Sequence, residues 1–133
     1  MDVAKREMPV LKTSAVRAHG NILIIEDSMD TAETVALFLM REGYGVRSVP
    51  SRNDALLVLD SYLYDIILMD HMMPGLGAQE FLKEARHRCP RSKIILMTAG
   101  HVAKEQAEKL GITQWLGKPF ELNALLQSIE KTC

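Results

Sequence analysis

The chain has 133 residues, 47% of them hydrophobic and 25% charged, and its formal net charge at pH 7 is −1. This length and composition predict one globular domain with an ordinary core, and the small net charge excludes a global field that attracts nucleic acid or anionic lipid. Neither the count nor the spacing of Cys89 and Cys133 suggests a disulfide framework or a zinc site. Because no apolar run approaches the roughly 18 residues that span a membrane and no secretory signal is apparent, we expect a cytoplasmic protein with no membrane partner.

The predicted elements begin after a tail. Residues 1–20 show no sustained hydrophobic period, and we interpret them as a mobile N-terminal segment before a domain at 21–133. Hydrophobic periodicity then predicts strands alternating with helices. In chain order, each strand and its following helix are 21–26 and 28–43, 44–49 and 51–62, 65–69 and 78–88, 93–98 and 101–111, and 112–116 and 121–131.

Five strand–helix pairs of this kind indicate the α/β class, with a doubly wound parallel sheet and helices on both faces. The continuous aliphatic runs at 22–25, 66–69 and 94–97 suit central strands that are buried on both sides. The segment 44–49 places Arg47 and Ser48 among valines, which favours an edge strand.

Polar residues stand at the carboxyl ends of these strands. Glu26 and Asp27 follow the first strand, Asp70 the third and Thr98 the fourth, and Lys118 comes shortly after the fifth. In a doubly wound sheet these ends meet at one crevice, where functional groups collect. A buried strand can therefore end in a carboxylate, because its end opens onto solvent.

Three carboxylates in one crevice repel one another unless a cation is present. Oxygen ligands suit Mg²⁺ or Mn²⁺, and a neighbouring lysine and hydroxyl suit an incoming phosphoryl group. Adjacent strand residues point to opposite faces. Glu26 and Asp27 can therefore share one ion only if the backbone leaves strand geometry there, or if one of them acts through water.

These motifs resemble the receiver domain of two-component response regulators, most closely the stand-alone, chemotaxis-regulator-like kind. The matching segments cover about residues 21–131 and are LIIEDS, ILMDHMMPG, IILMTA and GKPF. The resemblance implies a flavodoxin-like strand order, 2-1-3-4-5. It also implies a signalling protein rather than an enzyme, in which Asp70 accepts a phosphoryl group from a histidine kinase or histidine phosphotransfer protein and a downstream protein reads the change, with no direct contact to nucleic acid.

The resemblance further implies roles for the other residues of the crevice. Mg²⁺ is expected on Asp27, Asp70 and the main-chain carbonyl of Met72, with Glu26 acting through a metal-bound water. Lys118 is expected to bridge Asp70 and the phosphoryl oxygens. Thr98 is expected to move toward the phosphoryl group, followed by the aromatic residue three positions before the lysine, here Trp115.

The chain departs from the family pattern at several positions. The 20-residue step from Thr98 to Lys118 is slightly short, and Trp115 stands where Tyr or Phe is usual. Gly77 occupies a common Asp position before the third helix. Met72 and Gly100 occupy the two positions that tune dephosphorylation, and neither side chain can orient a water.

Other functions compete with this interpretation. An aspartyl-phosphate phosphatase would need D-x-D after the first strand, which Asp27-Ser28-Met29 does not supply. A further alternative is a cobalamin or flavin carrier of the same topology, but a cobalamin carrier would need D-x-H-x-x-G, whereas His71 directly follows Asp70. The main alternative is a pseudo-receiver, a protein-binding module that does not use phosphorylation. Because no output domain follows the last helix, we expect a protein that acts alone, a phosphorelay intermediate, or a fragment of a longer regulator.

Overall fold

A computed structural model of the chain describes residues 20–132. They form one five-stranded, all-parallel sheet with the order β2-β1-β3-β4-β5, which confirms the predicted fold class and strand order. The strands are β1 (Asn21–Ile25), β2 (Gly45–Val49), β3 (Ile66–Asp70), β4 (Lys93–Ala99) and β5 (Gln114–Lys118). The helices are α1 (Met29–Arg41), α2 (Arg52–Leu59), α3 (Ala78–Arg88), α4 (Ala103–Leu110) and α5 (Leu122–Thr132). The predicted tail lies outside the described residues, except for Gly20.

The core lies on both faces of the sheet. One apolar cluster joins the sheet to α2, α3 and α4, with Phe81 fully buried in it. The other joins the sheet to α1 and α5, where Leu39 and Leu125 are fully buried. The three aliphatic runs are the central strands β1, β3 and β4, and the strand with Arg47 is an edge, as predicted. Each central strand therefore runs through the core, and the residues at the carboxyl ends of these strands lie at the same edge of the sheet.

The helices begin and end largely as the sequence indicates. The Ser51 hydroxyl accepts a hydrogen bond from the amide of Asp54 and caps α2. No side chain caps α3 at Gly77. The prediction that α2 extends over 51–62 was wrong, because the helix ends at Leu59. A short 3₁₀ turn, Gly100–Val102, precedes α4.

The predicted bounds of the last strand, 112–116, were wrong by two residues. Gly111 has φ +72° and ends α4, and the amide of Ile112 donates to the carbonyl of Ala107. Buried Ile112 thus completes the left-handed cap of the helix, and the strand begins only at Gln114. Lys118 is consequently the last residue of β5 rather than a residue of the following loop.

No described helix has the length and apolar character that crossing a bilayer requires. Among the described residues, the buried thiol of Cys89 forms no disulfide.

Candidate functional site

Three carboxylates meet at the carboxyl edge of the sheet. Asp70 is the last residue of β3 and only 5% exposed, and Glu26, directly after β1, is 3% exposed. Asp27 is exposed. One carboxylate oxygen from each of the three residues lies within 4.8 Å of the others. The structure therefore brings together the three acidic residues that the strand ends predicted.

The backbone leaves strand geometry at this point, which lets neighbouring residues turn to one side. β1 ends at Ile25, so Glu26 and Asp27 both lie in the connection to α1. The amide of Ser28 donates to Oε2 of Glu26 at 3.1 Å, and the Ser28 hydroxyl accepts from the amide of Thr31 at the start of α1. Because Glu26 and Asp27 lie in a capped turn rather than in a strand, their side chains do not alternate between the two faces of the sheet. Their carboxylates can therefore lie close together.

Lys118 joins two of these carboxylates. Its Nζ lies 3.0 Å from Oε1 of Glu26 and 3.3 Å from Oδ2 of Asp70. Burial raises the pKa of Glu26, and its hydrogen bond with Lys118 only partly offsets that effect. Burial lowers the pKa of Lys118, but the hydrogen bonds and charges of Glu26 and Asp70 together outweigh burial, so its pKa is raised overall. Lys118 is therefore held as a cation between the two carboxylates.

A crevice of about 740 Å³ lies at this edge of the sheet, and it is lined by Asp70 but not by Glu26 or Asp27. Asp70, Met72, Thr98 and Lys118 all line it. The amide of Met72 donates to Oδ1 of Asp70 at 3.3 Å. Thr98, in β4, is 1% exposed, and its hydroxyl donates to Oε1 of Gln106 in α4 at 2.9 Å. Four of the predicted site residues thus share one cavity wall.

Trp115 lies outside this crevice. It pairs with Leu96 in the sheet, and Thr98 pairs with Gly117, so Trp115 is two residues further from the carboxyl ends of the strands than Thr98. The indole residue is 36% exposed and borders a separate depression against α5.

Two glycines bring backbone against backbone beside the crevice. A Cβ atom added to Gly117 in β5 would lie 2.5 Å from the Cα of Gly100. A Cβ added to Gly100 would meet nothing nearer than 3.7 Å. Gly117 is therefore required for the turn after β4 to pack on β5.

Sequence reasoning missed two residues that contact the site. Arg52, at the start of α2, donates to the main-chain oxygen of Asp70, and Gln106 holds the Thr98 hydroxyl. Both are polar residues in predicted helices, where solvent exposure is the usual interpretation. The pattern of α2 contains no signal that its first residue reaches a loop about twenty residues away.

The donor set fits a hard divalent cation. Glu26, Asp27 and Asp70 offer only oxygen atoms, and Mg²⁺ and Mn²⁺ prefer oxygen ligands from one or a few carboxylates. Two of the three carboxylates are buried, which makes their mutual repulsion costly without a positive charge. His71, next to Asp70, is not part of this acidic group, and its buried Nδ1 has no hydrogen-bond partner among the described residues.

Comparison with known proteins points to one family. Residues 22–130 match the family model described as the response regulator receiver domain. The uncharacterized transcriptional regulatory protein YkoG of Bacillus subtilis is 33% identical over 112 residues, which are 83% of this chain and 49% of YkoG. The chain thus spans about half, or less, of the length of the curated relatives that it matches.

Two solved structures are similar to this chain over almost the whole of their own length. The chemotaxis protein CheY4 of Vibrio cholerae has 26% identity and a TM-score of 0.77, covering 87% of this chain and 100% of CheY4. The response regulator TrrA of Thermotoga maritima, solved with Mg²⁺ and BeF, has 26% identity and a TM-score of 0.74, covering 85% of this chain and 98% of TrrA. With the family model matched over most of its length, the chain belongs to the response regulator receiver domains of two-component systems.

Proposed function

We propose that Asp70 accepts a phosphoryl group in the presence of Mg²⁺ and that a protein partner reads the resulting change. The observation that carries the proposal is the position of the Asp70 carboxylate. It stands at the end of a buried strand, beside two more carboxylates, with Lys118 3.3 Å from Oδ2. This combination suits an acceptor of phosphoryl groups better than a purely structural ion pair, because one ammonium cannot neutralise three carboxylates.

The ion would be held by Asp27, Asp70 and the main-chain carbonyl of Met72, with Glu26 acting through a bound water. Mn²⁺ has the same ligand preference and is expected to substitute. When bound, the ion neutralises the negative charge that otherwise opposes an incoming phosphoryl group. Phosphoryl transfer depends mainly on positioning and charge neutralisation of this kind.

Asp70 is the nucleophile in the proposed transfer. One of its carboxylate oxygens forms a P–O bond while the P–N bond of a partner's phosphohistidine breaks, and the departing imidazole nitrogen takes up a proton. Lys118 already contacts Oδ2 of Asp70 and is positioned to contact the transferred phosphoryl oxygens. The product adds negative charge and acceptor oxygens to the crevice.

Thr98 and Trp115 are the proposed switch. Thr98 lines the crevice, and its hydroxyl can exchange its bond to Gln106 for one to a phosphoryl oxygen. Trp115 lies on β5, two residue pairs from Thr98 in the β4–β5 register, and is partly exposed. In this proposal, a displacement of Thr98 is transmitted through the neighbouring strand to Trp115, which is exposed.

The partners proposed are a histidine kinase or histidine phosphotransfer protein as donor, and a downstream protein as reader. The net charge of −1 supports a protein reader over direct contact with nucleic acid. YkoG, about twice as long as the matched region, is named a transcriptional regulatory protein. An output through DNA therefore belongs, in this proposal, to a segment other than the receiver domain.

Mass spectrometry after incubation with acetyl phosphate and Mg²⁺ tests the acceptor. We expect one phosphoryl group on the unaltered protein and none on Asp70→Asn. Asp65→Asn is the matched control, because Asp65 is exposed and its carboxylate accepts from the amide of Asn21 at the opposite end of the sheet. Phosphorylation that persists in Asp70→Asn rejects the assignment. Absence of any phosphorylation, with unaltered folding, favours the pseudo-receiver.

A further inference from the structure

Arg52 is a buried cation at a position in the fold where a positive charge is unfavourable. It is the first residue of α2 and only 2% exposed. The start of a helix carries the positive end of the helix dipole, which disfavours a cation, and burial removes the hydration of its charge. Burial accordingly lowers the pKa of Arg52. A side chain kept under these conditions requires compensating contacts.

The compensating contacts are main-chain carbonyls of the connection between β3 and α3. Nη2 of Arg52 donates to the oxygens of Asp70 at 3.1 Å and His71 at 2.6 Å. Nη1 donates to the oxygen of Leu76 at 2.9 Å. One guanidinium thus binds both ends of the loop 71–77, and Met72 lies between those ends. This loop contains neither helix nor strand.

We propose that Arg52 is a positioning residue that holds the β3–α3 loop, and with it the main-chain carbonyl of Met72, in the shape that binds the metal ion. The inference rests on the proposed function, which assigns that carbonyl to the ion. A planar guanidinium presents several donors in a fixed fork, whereas a lysine ammonium is a single point charge on a flexible stem. A loop that is ordered in advance loses less conformational freedom when the ion binds.

A purely electrostatic role for Arg52 predicts the opposite result. A cation near the acidic group repels a divalent ion, so its removal would strengthen Mg²⁺ binding. The positioning role predicts weaker binding when the fork is lost, whether or not the charge remains. Mutation of a residue that hydrogen-bonds to a metal ligand and orients it typically changes the metal affinity about 10- to 100-fold. The sign of the change therefore separates the two roles.

The experiment compares Arg52→Lys and Arg52→Gln with the unaltered full chain by calorimetric titration with Mg²⁺. Both variants are expected to bind about tenfold more weakly. Arg86→Lys is the matched control, because Nη2 of Arg86 also donates to two main-chain oxygens, those of Leu110 and Gly111, away from the acidic group. We expect its Mg²⁺ affinity to be unchanged, even if its melting temperature falls.

A second measurement includes the unaltered protein, so it remains informative if the variants fail to fold. In the unaltered, metal-free protein, the amide of Met73, which donates to the oxygen of His71, should exchange with deuterium well below the rate of an unstructured chain. Exchange at the unstructured rate would overturn the inference, because the loop would not be held before the ion arrives. Faster exchange at Met73 in Arg52→Lys than in Arg86→Lys supports it.

The outcomes distinguish this inference from the proposed function. Unchanged or stronger Mg²⁺ binding in Arg52→Lys and Arg52→Gln overturns the positioning role, and phosphorylation of Asp70 by acetyl phosphate then still supports the acceptor role. If the unaltered protein fails to bind Mg²⁺, the proposed function falls and this inference falls with it.

Discussion

The hydroxyl of Thr98 donates a 2.9 Å hydrogen bond to Oε1 of Gln106, which links the end of β4 to the middle of α4. Thr98 is almost completely buried, so its hydroxyl needs a partner in every state of the protein. Any contact between Thr98 and a phosphoryl group must therefore replace the contact with Gln106. In the proposed switch, the amide of Gln106 stabilises the unphosphorylated arrangement, and the strength of its bond to Thr98 would set part of the threshold for switching.

Replacing Gln106 should make the switch easier. A neutral hydrogen bond contributes a net of about 1 kcal/mol, so Gln106→Leu is expected to bind the phosphoryl mimic beryllofluoride about fivefold more tightly. Titration followed by amide spectra measures this affinity. In a Thr98→Val background the Gln106 substitution should change nothing, because the hydroxyl is absent. An equal gain with and without the hydroxyl would contradict the linkage.

Phosphoryl lifetime should respond to the side chain at position 72. Met72 lines the crevice and is 68% exposed, but its thioether cannot orient a water for attack. Met72→Asn supplies an amide there and is expected to speed loss of the phosphoryl group about tenfold, because a positioned water reacts faster. Its main-chain carbonyl is unaltered. Decay of radiolabelled protein measures the rate. Met72→Leu is the control, and an Asn variant no faster than the Leu variant would reject the idea.

Glu26 is expected to weaken the fold while serving the site. Burial raises its pKa above the ordinary value of 4.5, with hydrogen bonds from Lys118 and Ser28 partly offsetting the effect. A carboxyl whose pKa is raised on folding is harder to ionise in the folded state, so its charge at neutral pH disfavours folding. Glu26→Gln, which can still accept from Lys118, should raise the free energy of unfolding at pH 7 by on the order of 1 kcal/mol. It should also weaken Mg²⁺ binding.

The pH dependence of this difference is its signature. As pH falls through the folded-state pKa toward 4.5, the unaltered protein regains a neutral Glu26, and the advantage of the Gln variant should disappear. Chemical denaturation at several pH values measures it. Glu33→Gln, on the exposed side of α1, is the matched control and should show no such trend. A Glu26→Gln variant less stable than the unaltered protein at pH 7 would contradict the prediction.

The contact between Gly100 and Gly117 predicts an asymmetric pair of substitutions. Gly117→Ala places a methyl group 2.5 Å from the Cα of Gly100, so backbone must move, at a cost of about 1–3 kcal/mol. Gly100→Ala meets only ordinary contacts at 3.7 Å and should change stability by about 0.5 kcal/mol or less. Urea denaturation compares them. Equal losses in both variants would show that the close approach does not decide stability.

Much of the fold and the acidic group could be predicted because each depends on local patterns. The aliphatic run before Asp70 identifies a central strand, and strand ends in such a sheet converge. The first residue of β5 could not be predicted, because Ile112 has the same apolar character whether it begins a strand or packs behind the cap of a helix. Periodicity does not distinguish these two uses.

The long-range polar contacts could also not be predicted from a sequence pattern. Arg52 donates to three main-chain oxygens at the end of β3 and in the following loop, and Gln106 accepts from the Thr98 hydroxyl, at separations set by the packing of helices on the sheet. Helical spacing marks which face a residue occupies, but it does not say how far its side chain reaches.

Lys118 is shared between Glu26 and Asp70, so one ammonium serves a group of three carboxylates. Without a divalent ion the crevice keeps an excess of negative charge, and an anionic phosphoryl donor is repelled at the point where it must react. The crevice is then expected to work as a coincidence detector, which responds only when donor and ion are present together. Under ion concentrations below saturation, its output would follow the product of two inputs, the activity of the kinase and the free Mg²⁺ in its surroundings.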